Sequence, residues 1–169
     1  MDKHVAIVTG GSRGIGRAIV ERLLADGADV VTCGRGTRPD GLPQAAVWVQ
    51  ADVSLTGDAA RLIREASNAF GRVTLLVNNA GVQVEKTVAG SADSDWDLVM
   101  NVNCKGVFNM CRAALPDMAE HGGNIINIGS VSGVVSDPSM ALYNASKAFV
   151  HALTRYIAVD HAPRVRCNA

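Results

Sequence analysis

The chain has 169 residues, room for one domain with a true core but not for two. Lys plus Arg and Asp plus Glu both number 16, so the formal net charge is zero, and without a basic run a nucleic-acid partner has no support. Hydrophobic residues make up 48%, yet no apolar run approaches the roughly 20 residues of a membrane span, and Met1-Asp2-Lys3-His4 carries no signal-peptide pattern. A cytoplasmic protein outside the membrane is expected.

Short β-branched runs alternate with longer amphipathic stretches, the pattern of βαβ units around a parallel sheet. Strands are expected at residues 5–8, 29–33, 47–50, 73–77 and 124–128, apolar nearly throughout because both faces of such a sheet are covered. Helices are expected at 14–25, 56–70, 141–161 and, as a broken stretch, 93–120. Thr56 reads as an N-cap, Gly27 and Gly71 as helix stops, and Pro116 should kink or end the fourth helical stretch. Residues 34–43 hold too many Gly and Pro for a crossover helix and read as a loop. Residues 163–169 look like the start of a sixth strand, cut off before any turn signal. The expectation is therefore a fragment, or a chain whose exposed edge needs a partner.

Cys33, Cys104, Cys111 and Cys167 lack CxxC spacing and are expected to be reduced, mostly buried thiols. His4, His121, His151 and His161 have no converging carboxylates or thiols, so no metal site is expected.

Directly after the first strand comes Thr9-Gly10-Gly11-Ser12-Arg13-Gly14-Ile15-Gly16, which opens a helix. Glycines let a backbone turn sharply and approach a pyrophosphate, while the helix N-terminus offers free N–H groups and partial positive charge. The spacing is TGxxxGxG, distinct from GxGxxG. Where the second strand ends, an acidic residue would suit the ribose hydroxyls of NAD; this chain has Gly34 and Arg35, with Arg13 in the glycine turn. Two cations without a carboxylate suit the 2′-phosphate of NADP, with NAD as the alternative. After the third strand, Asp52 and Val53 either meet an adenine ring or form a plain turn. In the last helix Tyr143 and Lys147 stand four apart and share a face, where the ammonium would favour the phenolate.

Together these residues resemble the classical short-chain dehydrogenases/reductases (SDR), over essentially the whole chain from Val5 to Ala169. The matching positions are Thr9 to Gly16, Asp52, Asn78-Asn79-Ala80-Gly81, Asn103 within Asn101-Val102-Asn103, Ser130, and Tyr143 with Lys147. The TGxxxGIG spacing argues against the extended, epimerase-like branch. The resemblance implies a three-layer, doubly wound α/β domain of Rossmann type. Its parallel strand order would be 3-2-1-4-5, with a partial sixth strand beside strand five. It implies a single dinucleotide-binding domain over 1–169 that lacks the family's C-terminal substrate loop and last strand. It also implies carbonyl–alcohol interconversion by direct hydride transfer on a small-molecule substrate. Tyr143 would be the general acid/base, Lys147 would hold the nicotinamide ribose and lower the Tyr143 pKa, and Ser130 would hydrogen-bond the substrate oxygen. Asn103 would help place Lys147 through a water, and Asn79, Ala80 and Gly81 would border the cofactor. The family's use of the last two long helices for dimerisation implies a homodimer or homotetramer. The alternative reading is a truncated, non-catalytic binding or oligomerising module.

Overall fold

The computed structural model describes residues 3–169. Its centre is Val5–Thr9 (β1), whose five side chains are all buried. Val5 and Ile7 enter one core, Ala6 and Val8 the other, as a strand covered on both faces requires. Gly14–Ala25 (α1) follows the glycine turn and stops at Gly27, whose φ of +87° is the left-handed C′ conformation. Asp29–Gly34 (β2) and Val47–Gln50 (β3) extend the sheet to one side, joined by a loop without helix. Thr56–Phe70 (α2) then leads back to Leu75–Asn78 (β4) on the other side of β1.

Asp93–Val99 (α3) passes without a cap into a π-helical segment, Met100–Lys105, and then into Gly106–His121 (α4). Gly123–Asn127 (β5), Ala141–His161 (α5) and Val165–Asn168 (β6) complete the chain. All pairings are parallel and the order is β3-β2-β1-β4-β5-β6, the predicted order with the sixth strand in place. Helices α2, α4 and α5 pack on one face around Leu62, Leu76, Met110, Ile125 and Ile157. Helix α1 and Leu42 and Ala46 of the long loop cover the other around Val8, Val20 and Val30. Among the described residues no helix is long and apolar enough to cross a membrane.

Three local expectations are corrected. Thr56 is already helical and Leu55 occupies the cap position without a side-chain bond; the Thr56 hydroxyl instead reaches Asn109 Oδ1 on α4 (3.3 Å). Of the two outcomes expected at Pro116, a kink or an end, the end is the one overturned: the helix continues to His121. The fourth strand starts at Leu75 rather than at residue 73 because Val73 and Thr74 form its lead-in, with Thr74 N–H donating to the Val5 carbonyl. The break in the stretch 93–120 is real, and its physical form is the wider π turn, which sequence periodicity did not reveal.

Candidate active site

The C-terminal ends of β1, β2, β3 and β4 open onto a cleft of about 390 Å³. The glycine turn forms its floor. Gly10 and Gly14 take φ of +71° and +56°, which residues with a Cβ rarely adopt. A Cβ on Gly16 would run into the Asn79 side-chain amide and the Gly10 carbonyl. The turn is pinned from β4: Asn79 Nδ2 donates to the carbonyls of Thr9 (2.9 Å) and Gly10 (3.2 Å). The Thr9 hydroxyl in turn accepts the backbone N–H groups of Asn79 and Ala80, both at 3.0 Å. Helix α1 has neither a capping side chain nor an acidic residue in its first turn. Its first N–H donors therefore face the cleft without a side chain to satisfy them, which fits an anionic pyrophosphate.

Four arginines sit near this end, and their partners separate them. Arg38 bonds the carbonyls of Leu42, Pro43 and Ala46 and closes the long loop. Arg17 is taken by Glu21 and the Gly41 carbonyl. Arg13 and Arg35 are exposed, line the cleft, and have no guanidinium partner among the described residues. Asp52 also lines it, but one carboxylate oxygen is turned to Ser54 N–H (2.9 Å) and Ser54 Oγ (2.7 Å), the geometry of a turn Asp. Its backbone N–H donates to Asp58, and that bond, with the Arg61 guanidinium, holds the Asp58 carboxyl below its usual range.

At the other end, α5 presents Tyr143 and Lys147. The Lys147 Nζ lies 5.7 Å from the centre of the Tyr143 ring and donates to the Ile128 carbonyl at 2.6 Å. Burial pushes the Lys147 ammonium below its ordinary pKa, with the Cys104 thiol opposing. A Cβ placed on Gly81, on the cleft wall, would lie 4.0 Å from that Nζ and 3.4 Å from Asn103 Oδ1. Asn103 is buried in the π segment and its amide is fully engaged. It exchanges two 2.8 Å hydrogen bonds with the Val82 backbone and donates to Ser146 Oγ at 2.9 Å. The side chain thus ties the β4 exit to α5. Ser130 caps the 3₁₀ turn Val131–Gly133, its Oγ accepting Ser132 N–H at 3.1 Å. That leaves the hydroxyl proton free to donate outward.

Of the residues singled out in the sequence, Gly10, Ser12, Arg13, Gly14, Ile15, Gly16, Arg35, Asp52, Val53, Asn79, Ala80 and Gly81 line one cleft. Ser130, Tyr143, Lys147 and Asn103 lie outside its lining, and Gly81 and Val82 form the border towards Lys147 and Asn103. Sequence reasoning missed the part of Thr9 as the double acceptor, and missed Ala51, Val82 and Val102 on the wall. It also missed Asn109, buried on α4, whose Nδ2 holds the Val53 and Ser54 carbonyls (3.0 and 3.2 Å) behind the cleft. A lone polar residue in an otherwise apolar helical stretch was the available signal for Asn109.

A family model described as short chain dehydrogenase matches residues 4–169. A 3beta-hydroxysteroid dehydrogenase of Mediterraneibacter gnavus is 37% identical over 99% of the chain and 64% of its own length. An NADP-dependent (R)-specific alcohol dehydrogenase of Lentilactobacillus kefiri is 38% identical over 94% of the chain and 66% of its own. Among solved structures, the ligand-free aldohexose dehydrogenase of Thermoplasma acidophilum superposes with a TM-score of 0.92 at 32% identity, over 99% of this chain and 65% of that one. The chain thus spans just under two thirds of the length of these relatives.

Proposed function

This chain belongs to the short chain dehydrogenase family, and we propose that it is the nucleotide-binding and catalytic part of an oxidoreductase that interconverts a carbonyl and an alcohol. The observation that carries this reading is the meeting of two independent motifs. Lys147 of the Tyr143–Lys147 pair comes to the Gly81 wall of the cleft that the glycine turn floors. A bound nicotinamide dinucleotide supplies or accepts the hydride. Ser12, Arg13, Gly14, Ile15 and Gly16 hold its pyrophosphate with backbone N–H groups, Asp52 and Val53 border its adenine, and Asn79, Ala80 and Gly81 border the path to its nicotinamide. Ser130 donates a hydrogen bond to the substrate oxygen and keeps its proton. Tyr143 passes a proton to that oxygen in reduction and removes one in oxidation. The Lys147 ammonium favours the phenolate electrostatically and binds the nicotinamide ribose. Asn103 keeps α5 and the β4 exit in register so that the lysine reaches both.

Arg13 and Arg35, the two arginines that line the cleft, support NADP over NAD, because a guanidinium pairs with a 2′-phosphate in charge and in hydrogen-bond geometry. The family relatives act on different molecules by name, a steroid and an alcohol among them, so the substrate class is kept at small carbonyls and alcohols. The test is fluorescence titration of the whole protein with NADPH and NADH, followed by turnover of a panel of ketones and aldehydes. Tighter NADPH binding that Arg35→Asp weakens about tenfold or more is expected; equal affinities would refute the preference.

Association is the other part of the proposal. Trp96, Phe108, Phe149, Tyr156 and Val159 are exposed on α3, α4 and α5, with Tyr156 69% accessible. A face of this kind is covered by a second copy in a homodimer or homotetramer. Sedimentation at micromolar concentration should show it. The four unpaired, buried thiols agree with a reducing compartment such as the cytoplasm.

A further inference from the structure

His151 belongs to no motif, and the roles proposed above leave it unused. It stands on α5 one turn beyond Lys147, half-buried, beneath the segment Gly129–Gly133 that carries Ser130. The two glycines bracketing that segment meet adjoining atoms at the Nε2 end of the same imidazole. A Cβ on Gly129 would run into His151 Nε2 and come within 3.0 Å of Cδ2; a Cβ on Gly133 would come within 2.9 Å of Cε1. Neither glycine has a positive φ, so backbone conformation does not demand glycine at either position. Space does, and the ring defines that space. The amides of Ser132 and Gly133 bond to Ser130 Oγ and to the Ser130 carbonyl (3.0 Å), so the segment moves as one turn. Its seat on α5 is therefore the seat of the Ser130 hydroxyl.

We propose that His151 is a positioning residue whose imidazole, wedged between Gly129 and Gly133, sets the distance of the Ser130 hydroxyl from Tyr143. The inference rests on the catalytic reading of Ser130 and Tyr143 given above. The two glycines provide an internal control. At Gly129 the ring is the main obstacle to a methyl group, the other neighbour being Ala169 Cβ at an ordinary 3.6 Å. At Gly133 the α5 backbone blocks a methyl as well, with the Lys147 carbonyl carbon at 2.7 Å and Ala148 N at 2.9 Å.

The experiment is a double-mutant cycle in the whole protein with two readouts. One is hydrogen exchange of the 129–133 amides without cofactor. The other is kcat and KM for NADPH with the best carbonyl compound of the panel. His151→Ala should speed exchange in this segment and leave that of β1 and α1 unchanged. It should lower kcat roughly tenfold to a hundredfold while KM for NADPH stays put, since small displacements of a reacting group cost rate rather than cofactor binding. His151→Gln, which can place a polar atom at the depth of Nε2, should recover part of kcat. Gly129→Ala should be as damaging alone but milder when His151→Ala is also present. Gly133→Ala should not be relieved by the same change.

Additive effects of Gly129→Ala and His151→Ala would overturn the wedge, as would equal relief at both glycines. Faster exchange with unaltered kcat would overturn the positioning role and leave a structural contact. Full turnover by Tyr143→Phe would overturn the catalytic reading instead, and the exchange cycle would still decide the wedge by itself.

Discussion

At the nucleotide end of the cleft the chain is tied to itself by backbone and side-chain hydrogen bonds. The Thr9 hydroxyl takes two N–H groups and the Asn79 amide takes two carbonyls, so the glycine turn is fastened to β4 on both sides. At the catalytic end Ser130 sits on a short 3₁₀ turn whose neighbours Val131, Val134 and Val135 are largely exposed, and the Tyr143 phenol has no hydrogen-bond partner among the described residues. The glycine turn is fastened to its neighbour by bonds; the Ser130 turn rests on α5 by packing, although Lys147 and Asn103 beside it are hydrogen-bonded. An anion site benefits from fixed donors because the charge it meets is always the same.

The largest effect expected from breaking this division is at the catalytic end. Tyr143→Phe keeps the ring and its packing but removes the group that transfers the proton, a loss of roughly 100- to 10,000-fold in turnover. Because the nucleotide end is fastened independently, NADPH affinity should change by less than about threefold, under 1 kcal/mol. Single-turnover kinetics alongside fluorescence titration would separate the two. A parallel collapse of cofactor binding would show that the ends are not independent.

The converse change is at the nucleotide end. Gly16→Ala adds a methyl where the Asn79 amide and Gly10 carbonyl already sit. Overpacking of this kind costs about 1–3 kcal/mol, felt as lower stability and weaker NADPH binding together. Chemical denaturation should show the shift. At saturating cofactor, kcat should stay within a few-fold of its original value, because the Ser130–Tyr143–Lys147 geometry is seated on α5 and not on the turn.

The contrast between the two ends also explains what the sequence disclosed. The strand order was implied by the family resemblance, whereas the strand–turn–helix rhythm and the boundaries of α1, α2 and α5 follow from periodicity and glycine placement, which act locally. The glycine turn was legible for the same reason. What was not legible depends on neighbours far along the chain. Thr9 looks like any β-branched strand residue until Asn79 and Ala80, seventy residues on, donate to it. Thr56 looked like a cap, but its hydroxyl is drawn across to α4. The π turn that carries Asn103 inward left no mark on the apolar pattern, although the Asn101-Val102-Asn103 motif had named the residue itself. His151 has no chemistry-bearing neighbour in sequence, and only the folded segment above it reveals what its ring displaces.

The smallest effect expected is also the most direct measure of how the two ends differ in rigidity, and two thiols report it. Cys33 lines the nucleotide end and Cys104 lies by Lys147 at the catalytic end; both are buried. Burial pushes each from 9.0 up to about 11, opposed by the Gly10 N–H at Cys33 and by the Lys147 ammonium at Cys104. A buried thiol is alkylated from a locally opened state, so its labelling rate reports how often its surroundings open. Cys104 should label several-fold faster than Cys33 at pH 8 in the cofactor-free protein. Equal rates would mean that the surroundings of Cys104 in the π segment open no more often than those of Cys33 at the glycine turn. The same shifts fix the alkaline behaviour. A folded-state pKa above the unfolded one stabilises fully below pH 9.0, and that contribution is lost as pH rises through about 11. The loss is at most about 1.4 kcal/mol per pH unit for each thiol. Cys104→Ala should therefore flatten the decline in stability between pH 9 and 11, and unchanged steepness would show that this thiol ionises in the folded protein as readily as in the unfolded one.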